Sequence, residues 1–146
     1  MLNKNKKTLT YALYLGSAAL FSLANSAYAT DSARLQWDTN GHYYQLFEGS
    51  PITWSNAKTA CESRSAHLAT ITSEAEQGFI YSQLVAGRNF YNYYHIGGVA
   101  ADTYTWAWTT GEAWGYVKWG GGAPQHDNGR NYLALTVKYN PWGTRR

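Results

Sequence analysis

Residues 106–119 read Trp106-Ala107-Trp108-Thr109-Thr110-Gly111-Glu112-Ala113-Trp114-Gly115-Tyr116-Val117-Lys118-Trp119. The first three fit the end of a short aromatic strand over 104–108, and Thr110-Gly111 breaks it. A stretch from about 109 to 131 follows, rich in glycine and turn signals. Loops of that length in a compact domain are usually functional or disordered. Trp114, Tyr116 and Trp119 favour an ordered loop with a small core of its own. Aromatics are also dense upstream, at Phe90, Tyr91, Tyr93, Tyr94 and Tyr104. Further short strands are expected over 95–99 and 132–137.

Before the aromatic half, the chain changes period. His42 to Glu48 is β-prone and is entered through the Asn40-Gly41 turn signal. Thr53 is placed to cap a helix running to about Arg64, with Trp54, Ala57 and Cys61 on one face toward a core. Leu68, Ala69 and Ile71 make an extended link. Ser73-Glu74-Ala75-Glu76 then has the form of a capping box, in which Ser73 and Glu76 satisfy each other's free amides. The second helix turns Phe79, Ile80 and Leu84 inward and stops near Gly87. Glu74 and Glu76 point to different faces of it, so they are not paired catalytic carboxylates.

The chain has 146 residues, 45% hydrophobic, 16% aromatic and 14% charged, enough for one domain. That composition argues against intrinsic disorder. Residues 1–29 read as a secretory leader: Lys4, Lys6 and Lys7 are its basic start, residues 12–21 its apolar run, and Ala27-Tyr28-Ala29 its cleavage site before Thr30. The rival reading is a single membrane anchor, for which the apolar run is short. The net charge of +3 comes from 12 basic and 9 acidic residues. Without the leader's lysines the balance is neutral, which argues against nucleic-acid binding. The product is expected to be secreted or periplasmic, with no membrane span after the leader is removed. Cys61 is the sole cysteine. In an exported domain it reads as a thiol with a missing partner, an intermolecular bridge or a buried free thiol.

These pieces in this order resemble the C-type lectin-like domain family. The first half of the resemblance is Trp54-x-x-Ala57-x-x-x-Cys61, Ala66-His67-Leu68-Ala69-Thr70-Ile71, Ser73-x-x-Glu76-x-x-Phe79 and Ile96-Gly97-Gly98. The second is Trp106-Ala107-Trp108-Thr109-Thr110-Gly111-Glu112, Tyr116-x-x-Trp119, Gly122-Ala123-Pro124, Asn131-Tyr132-Leu133-Ala134-Leu135 and Trp142. The resemblance implies an α+β fold over 30–146, with two helices flanking two small antiparallel sheets and a long ligand-binding loop. It makes Trp54, Cys61, Trp106, Trp108, Trp119 and Trp142 structural. It also implies a loop-shaping cis-proline at Pro124.

Two departures stand out. In sugar-binding members a calcium ion in the loop is held by side-chain oxygens, and calcium takes about 6–8 of them. Ala123, Arg130, Gly143 and Thr144 stand where the pattern has ligands. Gln125, Asp127, Asn128 and Asn131 could form a partial calcium site only with the loop register shifted. Asn128-Gly129 alone reads as a tight turn. The family also continues beyond the Trp142 position into a strand that pairs with the first one, and a cysteine there usually bridges to the Cys61 position. The chain therefore reads as truncated at its C-terminus, with the first strand's edge left open.

The leading functional reading is an exported, non-enzymatic module that binds a glycan through the long loop, with Trp114, Gln125, Asp127, Asn128 and Asn131 as ligand contacts. A metal-free module for a protein or other surface is an alternative. A nonfunctional truncated fragment is another. A secreted hydrolase is a third, against which His42, His67, His95 and His126 form no His-Glu-x-x-His zinc pattern. No Gly-x-Ser-x-Gly elbow appears either. Oligomeric state has no signal in the sequence.

Overall fold

The computed structural model describes residues 10–15, 31–88, 92–102, 105–124, 129–137 and 142–145. The elements run β1 (Thr10–Leu15), β2 (Leu35–Trp37), β3 (His42–Phe47), α1 (Trp54–Glu62), β4 (His67–Leu68), α2 (Glu74–Ile80), β5 (Tyr93–Ala100), β6 (Trp106–Trp108), β7 (Tyr132–Thr136) and β8 (Trp142–Arg145). The architecture is the α+β arrangement expected. One antiparallel group is the β2–β3 hairpin, and the other is β6, β5, β7 and β8 around the long central β5. β1 joins them, parallel to β3 and antiparallel to β5, with β4 also against it.

Local chemistry explains most boundaries. The β2–β3 turn closes on Gly41, whose φ of 74° favours glycine and whose amide donates to Trp37 O at 2.8 Å. Asn40 Oδ1 accepts from His42 N at 2.9 Å, which completes that turn. Thr53 caps α1 as expected, its hydroxyl accepting from Asn56 N at 3.2 Å. Trp54, Ala57 and Cys61 are the buried face of that helix. They close a small core with Phe47, Ala66 and Leu68.

The capping box is half as expected. Ser73 Oγ accepts from Glu76 N at 3.1 Å. The Glu76 carboxylate, however, reaches Thr72 rather than the cap, accepting from Thr72 N at 2.7 Å and from Thr72 Oγ1 at 2.9 Å. Its other oxygen takes the Tyr44 hydroxyl from β3 and Asn40 Nδ2 at 3.3 Å. Glu76 is therefore buried, because four donors from two parts of the chain replace water around it. α2 continues as a π-helical turn over Tyr81–Val85, which buries both Leu84 and Val85. Phe79 is only half-buried, stacked on Trp37 at 6.0 Å and edge-on to Tyr44 at 5.8 Å.

The expected open edge of the first strand is the main difference. β3 has β2 on one side and β1 on the other. Six residues from the N-terminal apolar region occupy that slot, since a tyrosine- and leucine-rich segment suits a strand between two others. The rest of residues 1–30, with the expected cleavage site at Ala29 and Thr30, lies outside the described residues.

Candidate functional site

The long loop leaves β6 through a turn at Gly111, where φ is +80° and the amide donates to Trp108 O at 3.0 Å. Thr110 ties this entry down. Its hydroxyl donates to Glu112 Oε2 at 2.8 Å and lies 2.9 Å from the hydroxyl of buried Thr70. From Glu112 to Lys118 burial then alternates: Glu112, Trp114, Tyr116 and Lys118 are half-buried, while Ala113, Gly115 and Val117 are exposed. That is the period of an extended chain with one face on a core.

The core it faces is aromatic. Trp114 lies 4.9 Å from Trp108, 5.9 Å from Trp142 and 6.3 Å from both Trp106 and Trp119, between ring centroids. Tyr116 and Trp108 each meet Trp142 edge-on at 5.5 Å. Trp119 sits 5.4 Å from Trp106. Trp142 is the hub, fully buried, with its indole N–H donating to Gln77 Oε1 at 2.7 Å. Its backbone also clamps the loop, because Trp142 N donates to Lys118 O at 2.6 Å and Gly120 N donates to Trp142 O at 2.9 Å. The described part of the loop up to Pro124 is thus held by its own aromatics packed on those of β6 and β8.

Past the clamp the chain turns outward. Gly122 has a φ of +77°, Ala123 N donates to Gly120 O at 3.0 Å, and the Ala123–Pro124 peptide is cis. The loop returns through Gly129, and Asn131 O accepts from Ala100 N at 2.9 Å, so Asn131 is exposed at the foot of β7. Of the sequence-derived ligand contacts, Trp114 is inside the aromatic cluster and Asn131 is exposed just before β7. Gln125, Asp127 and Asn128, with His126, lie outside the described residues.

Val117 was not singled out in the sequence. It is the exposed large hydrophobic of the described residues, at 43%, and it sits on the loop's outer face. The signal was available: if Trp114 and Tyr116 point inward from an extended chain, Val117 points out.

Elsewhere, titratable groups are engaged in structure. Glu48 takes an ion pair from Arg88 and the Tyr94 hydroxyl at 2.6 Å, which ties the end of β3 to β5 and the segment after α2. Burial and that hydrogen bond push the Tyr94 phenol up. Burial likewise pushes the Cys61 thiol up to about 12, so it is neither a thiolate nor a nucleophile at neutral pH. His95 is buried, with Nε2 3.0 Å from Ile52 O. His67 is exposed at the start of β4.

Residues 50–144 match the sequence model of the family described as Lectin C-type domain. This chain belongs to the C-type lectin domain family. A lectin of Pleurodeles waltl is 30% identical over 99 residues, covering 64% of this chain and 56% of that protein. The chain spans roughly half to two thirds of the length of the curated relatives that it matches. The fold is shared with the C-type lectin CEL-I from Cucumaria echinata, at 26% identity and a TM-score of 0.59, over 64% of this chain and 74% of that one. It is shared too with a calcium-independent type II antifreeze protein, at 30% identity and a TM-score of 0.54, over 64% and 68% of the two chains.

Two positions to which the family resemblance assigns calcium ligands fall within the described residues of the loop. A methyl group at Ala123 and a guanidinium at Arg130, both half-buried beside the loop's outer turn, stand at two positions where the family pattern has ligand oxygens. Calcium binding needs carboxylate charge that these side chains cannot supply.

Proposed function

We propose that this C-type lectin domain is an exported, non-enzymatic module that binds carbohydrate through the loop from Trp114 to Asn131, with no calcium ion in the contact. The observation that carries this reading is the described first part of the loop, packed by Trp114, Tyr116 and Trp119 against Trp106, Trp108 and Trp142, with Gly121 and Gly122 exposed beyond it. Rigid presentation lowers the ordering cost of binding. Gln125, Asp127, Asn128 and Asn131 supply both donors and acceptors, which is what sugar hydroxyls require. The similarity to a lectin of Pleurodeles waltl and to CEL-I supports the glycan class. The likeness to a protein whose structure is described as calcium-independent supports the metal-free form. Cleavage between Ala29 and Thr30 would deliver the domain to a periplasm or the exterior.

The test is a thermal melt of the whole protein in millimolar-range calcium and in excess chelator, followed by a glycan array under both conditions. An equal midpoint in both, with glycan binding that survives chelation, is expected. A midpoint raised by calcium would show that the native state binds the ion, and would overturn the metal-free reading. A surface-binding module is the second reading, favoured by Val117 on the loop's outer face. It predicts retention on a protein or ice surface with no glycan signal.

A further inference from the structure

The sheet depends on a segment that the sequence assigns to export. β1 lies with Thr10 to Tyr14 in register against Tyr43 to Phe47 of β3. On its other side Tyr11 and Ala12 face His67 and Leu68, while Tyr14 and Leu15 face His95 and Tyr94. β1 is thus the strand that links β3 to β5 in the order of the sheet.

The walls of this slot are deep. Tyr44, Leu46, Leu68, Tyr94 and His95 are each at most 2% exposed. Those values hold with β1 in place, so the backbone groups of β3 and β5 that face the gap take their partners from β1. Nor can β2 serve in its place, since it already pairs with the opposite edge of β3 at Tyr44, Tyr43 and His42. An extended segment running parallel to β3 fills the gap.

We propose that the gap between β3 and β5 is a strand-acceptor site, filled in cis by Thr10–Leu15 and able to take the same segment in trans once residues 1–29 are cut away. The cis filling rests on the pairing alone. The opening rests on the leader reading given above. Processing and folding then compete for one segment: while it is paired in the sheet it is withheld from the export machinery, and its removal leaves the facing edges of β3 and β5 unpaired.

Amide hydrogen exchange on the uncut chain tests the first part. The amides of 11–15 are expected to exchange about as slowly as those of β3, at least about 100-fold slower than in an unstructured peptide. Ala12→Pro, which removes a donor from a central strand, is expected to speed exchange in both strands and to lower the melting midpoint. Fast exchange over 11–15 with β3 still protected would overturn the proposal. This measurement stands whether or not the leader is ever cleaved, which mass analysis of the exported protein decides separately by the presence of Thr30 at the N-terminus.

For the second part, a specific protease site is placed within residues 16–30 of the whole chain and cut. The N-terminal piece is expected to co-elute with the remainder. An excess of a labelled peptide of residues 8–17 should displace it, and the same peptide carrying Ala12→Pro should not. Dissociation of the piece on cutting, or self-association of the remainder that excludes the peptide, would overturn filling in trans.

Discussion

Gly98 shows how little room the centre of β5 leaves for side chains. A methyl group built there would sit 2.1 Å from Leu133 Cδ1, and three atoms of that leucine would crowd it. Gly98→Ala is therefore expected to destabilise the fold by about 1–3 kcal/mol through overpacking, read as a lower melting midpoint. Gly115→Ala, whose added methyl would meet open space, is expected to stay within about 0.5 kcal/mol of the parent. Glu76 is the other residue on which several groups converge. Removing it in Glu76→Ala takes the acceptor from the buried Tyr44 hydroxyl and from Thr72, and denaturant unfolding is expected to show a loss of about 2–4 kcal/mol. The cap by Ser73 was legible from spacing. The reach of Glu76 to Tyr44 was not, because those residues are 32 positions apart and only the packing of α2 on β3 brings them together.

At the scale of elements, Trp142 connects three parts of the molecule. Its side chain bonds Gln77 on α2, its ring sits among the loop aromatics, and its backbone holds Lys118 and Gly120. Trp142→Ala is expected to cost about 3–5 kcal/mol and to abolish glycan binding with it, since the loop loses its anchor. Trp142→Phe keeps much of the ring contact but removes the indole donor from Gln77 Oε1, so a smaller loss is expected, measured by the same melt. Trp142 was recognisable as structural from the family pattern, and an ordered loop from its aromatic content; the inward place of Trp114 was not, because in the sequence it reads as a ligand contact. That the clamp is made by backbone as well as by side chain was not, since backbone pairing across 24 positions leaves no residue-type signature. The π-helical turn after α2 likewise had no local signal. Its effect is tertiary, the joint burial of Leu84 and Val85.

At the scale of the whole molecule, stability is expected to fall at alkaline pH. The Cys61 thiol ordinarily ionises near 9.0 and is pushed up to about 12 by burial in the α1 core. Between those values the unfolded chain releases this proton and the folded chain holds it, so unfolding becomes easier as pH rises. The raised Tyr94 phenol acts in the same direction above its ordinary value of 10.0. A series of melts from neutral pH upward should show a midpoint that declines beyond about pH 9, and Cys61→Ala should flatten the first part of the decline. A midpoint insensitive to pH up to 11 would contradict this.

The sequence by itself determined the capped helices, the inward face of α1 and the aromatic strands. Each of these follows from neighbours within a few positions, where period, caps and turn residues act directly on the backbone. Tertiary structure alone decided which strand fills the space beside β3, where the Glu76 carboxylate finds its donors, and that Trp142 closes the loop. Those outcomes depend on burial, which sets the cost of an unpaired polar group only after distant segments have met.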